Sequence, residues 1–325
     1  MSRSDRHAGD GEARQAHGWR TLVQTEALAE ALRARDRRAA DAVHDLPEAG
    51  CQDLVVFDCR FSLADTAAGE AAWREARLPG ARYAHLDRDL SGAHTPGAGR
   101  HPWPTAQAFT AWLRREGVAP HTQVVAYDAG DGAFAARLWW LLRCLGHRDA
   151  AVLDGGWARW TALGLPFETG VPQPVEAEPE SLAAAASGGS DASFDMRLLL
   201  DADAVRTRLE KGDALIDARA AERFRGEIEP IDRIAGHVPG ALNRPYVDNL
   251  REGRFKPAAE LAAEFDALLA GRAPARAIAM CGSGVTACHH LLALAHAGRE
   301  GAALYTGSWS GWIEDATRPV ARGAD

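Results

Sequence analysis

Nothing in this chain is apolar for long enough to cross a bilayer: its longest apolar runs reach about half of the ~20 residues a spanning helix needs. An export signal is missing too, because residues 1–18 are polar and contain no apolar core, and they read as a disordered tail. Acidic and basic residues are interspersed at a formal net charge of −8, so the basic stripe of a nucleic-acid binder is absent. No Cys-x-x-Cys pair occurs among Cys51, Cys59, Cys144, Cys281 and Cys288, and an odd number of cysteines does not make a disulfide framework. Neither a structural metal nor a disulfide is expected, and without an export signal the thiols belong in a reducing cytoplasm. There is no phosphate-binding P-loop and no dinucleotide fingerprint, since Gly130-Asp131-Gly132 is too short to count.

What is present is a chain of 325 residues, 46% hydrophobic and 25% charged, which suits two ordinary globular domains. The two halves repeat each other. Leu54-Val-Val-Phe-Asp58-Cys59-Arg60 and Ala214-Leu-Ile-Asp217-Ala218-Arg219 each read as a buried strand that delivers Asp and Arg to a loop. Leu78-Pro-Gly-Ala81 and Val238-Pro-Gly-Ala241 follow at matching distances. A second buried strand comes next in each half, Gln123–Tyr127 and Ala277–Met280, then a glycine-containing loop and an apolar helix capped at Gly146 or Gly298. The intervals Gly132 to Trp157 and Gly284 to Trp309 are equal. This pattern predicts a tandem duplication of α/β domains, each a mainly parallel sheet with helices on both faces. The Pro-, Glu-, Ala-, Gly- and Ser-rich stretch 171–190 reads as an extended linker.

Only one copy has a cysteine where the second strand meets its loop: Met280-Cys281-Gly282-Ser283-Gly284-Val285-Thr286-Ala287-Cys288, against Asp128 in the first copy. Strand ends are the usual ligand positions of open α/β sheets. A short glycine-rich loop can turn successive amides (Gly282, Gly284, Val285 and Thr286 lie in this one) toward an anion, and the helix that follows adds its positive end. Both favour thiolate, the nucleophilic form, at Cys281. Ser283 and Thr286 offer hydroxyls beside it. A phosphatase of this type grips phosphate with an Arg six positions after the cysteine, where this chain has Ala287. Cys288 reads as a core residue.

Through these residues the chain resembles the two-domain rhodanese-type sulfurtransferases, with a Cys281–Ala287 loop of the form typical of 3-mercaptopyruvate sulfurtransferases. Thiosulfate-preferring rhodaneses place basic side chains after the cysteine, and this loop has none. Leu153-Asp-Gly-Gly-Trp157, Gly236-His-Val-Pro-Gly240 and Gly307-Ser-Trp-Ser310 match as well. The resemblance implies a rhodanese-like first domain over 19–170 without a catalytic cysteine and a catalytic second domain over 191–325, with the site between them. It implies a Cys281 persulfide that carries sulfur from a small anionic donor to a thiol (for example of a thioredoxin-like protein) or to cyanide, with no other cofactor. Ser283 takes the family's proton-relay position. Arg223 matches its substrate arginine, and Arg219 and Arg225 lie close by; a planar guanidinium suits a carboxylate.

Two departures stand out. Arg77 occupies the place of a first-domain His before the Pro-Gly pair, expected to form a relay with an Asp, and Arg cannot shuttle protons near pH 7. The family's second substrate arginine, after the Glu-Pro segment, meets Ile231-Asp232-Arg233 instead. Arg100, in Gly99-Arg100-His101-Pro102, lies in a long loop able to reach the cleft, and Trp309 is a candidate lining residue. His237, the adjacent His289 and His290, and the Trp139-Trp140 pair read as structural. Alternative readings are a thiosulfate-specific enzyme, a persulfide carrier with a dedicated protein partner, and a non-catalytic scaffold, which the intact cysteine loop argues against.

Overall fold

A computed structural model describes residues 18–41, 53–170 and 192–324. The expected linker at 171–190, the expected tail apart from Gly18, and Cys51 lie outside the described residues.

The short apolar runs form short strands buried on both faces. In the first half β1 (Leu22–Val23), β2 (Leu54–Asp58), β3 (Arg82–Tyr83), β4 (Gln123–Tyr127) and β5 (Ala150–Leu153) make a sheet of order β1-β5-β4-β2-β3. The second half has β6 (Leu199–Leu200), β7 (Ala214–Asp217), β8 (Leu242–Asn243), a separate antiparallel ribbon of β9 (Leu250–Arg251) with β10 (Arg254–Phe255), then β11 (Ala277–Met280) and β12 (Ala303–Tyr305). Its sheet has the order β6-β12-β11-β7-β8. Replacing each strand by its counterpart turns one order into the other, and every pairing within both sheets is parallel. The duplication read from glycine spacings is a duplication of the fold.

The helices are α1 (Thr25–Asp41), α2 (Ala68–Glu75), α3 (Ala106–Arg115), α4 (Ala135–Cys144) and α5 (Gly156–Ala162), then α6 (Ala202–Glu210), α7 (Ala221–Phe224), α8 (Ala258–Leu269), α9 (Ala287–His296) and α10 (Ser308–Trp312). Successive strand residues face opposite sides. Val55, Phe57, Val124 and Ala126 therefore pack with Phe109 of α3 and Leu138 of α4. Leu54, Val56, Val125 and Tyr127 pack with Leu28 of α1 and Trp160 of α5. The second sheet divides in the same way, between α8 and α9 on one face and α6 and α10 on the other. The α4 face of the first half and the α9 face of the second belong to one continuous apolar core, with α4 packed on α9. Phe194 joins the rings of Trp103 and Phe109 in the first half.

Candidate active site

Cys281 is the first residue past the C-terminal end of β11, and only 2% of its surface is exposed. Gly284 needs its glycine: φ is +76°, and a Cβ there would meet the Thr306 carbonyl oxygen at 2.7 Å. The outer side of the loop is pinned by the start of α10. The Cys281 amide donates to Ser308 Oγ, and the Trp309 and Ser310 amides donate to the Cys281 and Gly282 carbonyls, at 2.9–3.1 Å. The amides of residues 283–287 donate to no other group among the described residues.

The first half shows what such a loop does with an acceptor in place. Asp128, at the position of Cys281, takes hydrogen bonds from the amides of Gly130, Gly132, Phe134 and Ala135 at 2.9–3.1 Å. Burial, with Asp131 nearby, pushes its carboxyl up to about 6, opposed by those amides. Counting from the matched glycines, Gly132, Phe134 and Ala135 correspond to Gly284, Thr286 and Ala287, and the second loop is one residue shorter between its strand end and that glycine. The second half therefore has the corresponding amides beside position 281.

The repeat also acts as a control on other candidates, because a contact shared with the half that lacks a counterpart of Cys281 belongs to the common scaffold. Arg219 forks onto Asp217, donates to Gly236 and lies over the Trp309 ring at 4.7 Å. Arg60 does the same with Asp58, Ala76 and the Trp157 ring at 4.8 Å. Arg219 thus makes the same scaffold contacts that Arg60 makes. Trp309 is wholly buried and donates its indole N–H to Ile234, so it does not line the cleft. Arg77 corresponds to His237, and both make a bridge to their own half, to Glu168 and Ala321 respectively. The Arg77 side chain reaches the Gly170 carbonyl and Glu168, and none of its polar contacts among the described residues involves the cysteine loop. Arg225 pairs with Glu227 at the surface. These placements correct the site expected from sequence.

A histidine that local sequence left among the weaker candidates lies against Ser283. His101 Nδ1 lies 2.7 Å from Ser283 Oγ, and its Nε2 lies 3.3 Å from Asp87 Oδ1. Burial, then Arg137 and Arg100, lowers the His101 pKa to about 3, so the ring is neutral. Ser283 then donates to Nδ1, and Nε2–H faces Asp87, which is 44% exposed and opens the chain to solvent. Arg77 thus lies apart from Ser283, whereas His101 touches it. Sequence gave one signal, the Gly99-Arg100-His101-Pro102 loop, and no signal for Asp87.

That loop is fastened to the second half. The Gly97 and Gly99 amides donate to Glu314, and the Arg100 amide donates to Ser310. Arg137 of α4, fully buried, donates to the Gly284 carbonyl at 3.0 Å and to the His101 and Pro102 carbonyls at 3.2 and 3.3 Å, and lies over Trp103. One guanidinium ties the histidine loop to the cysteine loop. Arg100 and Arg223 both lie against Gly282 and share Asp232, while Glu229 holds Arg223 from behind. Arg233 turns away to the Ile313 carbonyl. Val285 is packed in the core, so it contributes its amide to the loop and not its side chain. Burial pushes the Cys288 thiol up to about 12, and its S–H donates to Gly284, as expected of a core residue. Among the described residues no group of side chains has metal-binding geometry, and no helix is long and apolar enough to cross a membrane.

A profile of the rhodanese-like domain matches the chain twice, over residues 39–163 and 201–315. A Pseudomonas aeruginosa protein named as a probable 3-mercaptopyruvate sulfurtransferase is 48% identical over 275 residues, covering 83% of this chain and 93% of that one. A Mycobacterium tuberculosis protein named as a candidate thiosulfate sulfurtransferase, SseB, is 38% identical over 272 residues, covering 82% and 90%. Among solved structures, that of the Escherichia coli 3-mercaptopyruvate sulfurtransferase SseA superposes with a TM-score of 0.65 at 29% identity, covering 90% of this chain and all of the other.

Proposed function

This chain belongs to the rhodanese-like domain family and is a sulfurtransferase, and on that premise we propose that Cys281 takes sulfur from 3-mercaptopyruvate as a persulfide and passes it to a thiol or to cyanide. The observation that carries the reading is the set of amides at Gly284, Thr286 and Ala287, whose first-half counterparts at Gly132, Phe134 and Ala135 hold the Asp128 carboxylate. Amides and the N-terminus of α9 stabilise negative charge on sulfur both before attack and in the persulfide.

In the first step the Cys281 thiolate forms a bond to the donor's sulfur, and the C–S bond breaks with its electron pair going to carbon. The leaving group is the enolate of pyruvate, and the proton carried by the donor's thiol moves to that carbon. Cys281 is left as the persulfide anion, so atoms and charge balance. Ser283, hydrogen-bonded to neutral His101, is the group placed to accept and return that proton, with Asp87 orienting the ring. Arg223 binds the carboxylate. In the second step an acceptor thiolate or cyanide attacks the outer sulfur and regenerates the Cys281 thiolate. With thiosulfate the leaving group is sulfite, which departs without a proton, and the relay is idle; the presence of a built relay favours the carbon-based donor. The described cysteines are all free thiols, which suits a reducing compartment such as the cytoplasm.

The test is steady-state turnover with 3-mercaptopyruvate and with thiosulfate, cyanide as acceptor, beside Cys281→Ser. Higher kcat/KM for 3-mercaptopyruvate, abolished in the variant because an alcohol forms no persulfide, is expected. Full activity of Cys281→Ser would sink the mechanism, and a thiosulfate preference would overturn the donor.

A further inference from the structure

We propose that Arg100, from the half without the cysteine, and Arg223, from the half with it, form one seat for the donor's carboxylate, and that Asp232 fills this seat until the donor displaces it. The proposal deepens the sulfur-donor reading and rests on it for the donor's identity; the seat rests on geometry alone.

The two guanidinium groups converge on one spot. A Cβ on Gly282 would lie 3.0 Å from Arg100 Nη2 and 3.7 and 3.8 Å from Arg223 Nη2 and Nη1. Gly282 adjoins Cys281, so both cations stand beside the nucleophile, and a glycine leaves them room. Asp232 demonstrates how a carboxylate sits there, with one oxygen on Arg100 Nη1 and the other on Arg223 Nη2 at 3.2 Å. Its side chain is 4% exposed, unlike the partner of an ordinary surface ion pair.

Arg100 Nη2 and Arg223 Nη1 make no hydrogen bond among the described residues, whereas Arg219 is committed to Asp217, Gly236 and Glu229. Glu229 grips Arg223 through Nε and Nη2 and so aims the fork without filling it. Three cations (Arg100, Arg219, Arg223) face three carboxylates (Asp217, Glu229, Asp232), and the cluster is balanced as it stands. An added carboxylate therefore requires Asp232 to swing out or take a proton, and burial already raises the Asp232 carboxyl against the pull of Arg100. Arg100 thus supplies across the interface the second cation that Ile231 and the diverted Arg233 do not.

The test is alkylation of Cys281 in the full-length protein by neutral iodoacetamide, read by mass spectrometry, with pyruvate as the protecting carboxylate. Pyruvate carries no transferable sulfur, so the outcome does not depend on which donor is turned over. Arg100→Ala and Arg223→Ala are each expected to raise the half-protecting pyruvate concentration ~10- to 100-fold, the worth of a charge-assisted pair. Asp232→Asn should lower it. Wild-type alkylation rates without pyruvate show that the loop is intact; if Arg100→Ala changes that rate, Arg100→Lys, which keeps the charge and loses the fork, replaces it and should show an intermediate loss. Unchanged protection in the arginine variants, weaker protection in Asp232→Asn, or no protection of the unaltered protein overturns the proposal. The expected pattern in a protein that does not turn over 3-mercaptopyruvate keeps the seat and discards the donor.

Discussion

The proposed relay turns on which nitrogen of His101 holds the proton. A ring with a pKa near 3 stays neutral as pH falls through the usual histidine range. We expect kcat/KM for 3-mercaptopyruvate to show no limb from this residue between pH 5 and 8, and a histidine limb near 6.5 that disappears in His101→Asn would refute the assignment. That variant should also lose about 10²- to 10⁴-fold in kcat with 3-mercaptopyruvate, the range of general acid–base catalysis, while thiosulfate turnover stays near the unaltered level. The cysteine loop was legible because its signal is local: a strand, a cysteine and a glycine loop. His101 was not, because its partner Ser283 lies 182 residues away. The scaffold contacts of Arg219 were also legible, since the Asp-x-Arg triplet stands again at Asp58–Arg60 in the half that lacks Cys281.

Strands and helices followed the sequence closely because β2, β4, β7 and β11 are buried on both faces and so read as continuous apolar runs. The two-residue edge strands β1, β3, β6 and β8 left no such trace, since pairing alone defines them. Between elements, glycines divide by what surrounds them. Gly284 and Gly298 both have positive φ, but a Cβ at Gly298 meets nothing within 4 Å. Gly298→Ala should cost only the left-handed conformation, ~1–2 kcal/mol, and keep its activity. Gly284→Ala adds the collision with Thr306 and moves the amides off Cys281, so it should lose more stability and most of its turnover. Equal denaturation midpoints and equal rates for the two variants would contradict this.

Across the whole molecule the halves share one apolar core, and polar groups are sealed at their junction. The two hydrogens of Asn249 Nδ2 point to Nδ1 of His289 and of His290, whose Nε2 atoms donate to the Asp131 and Arg244 carbonyls. Neither ring can take a proton without facing a donor, and burial lowers their pKa values to about 4 and about 3. With His101, three histidines stay neutral in the folded protein and charge in the unfolded chain near pH 6.5. The sign for these rings is therefore loss of stability as pH falls below about 6.5; Asp58 and Asp128, raised by burial, work the other way, and the three histidines outnumber them. The thermal midpoint should drop between pH 7 and 5, less so in His290→Gln, and a flat midpoint over that range would rule out this linkage.

The loop from Gly97 to Trp103 belongs to the half that has no counterpart of Cys281, yet it brings His101 and Arg100 to the other half's loop. A duplicated gene offers selection two copies of each loop to edit. Here one copy of the cysteine position became a carboxylate that satisfies its own amides, while that half's long loop entered the neighbour's site. Natural variation in this lineage should accordingly be as restricted at residues 87 and 100–101 as beside Cys281, and looser around Asp128, so the record of sulfur chemistry is written largely in the half that performs none.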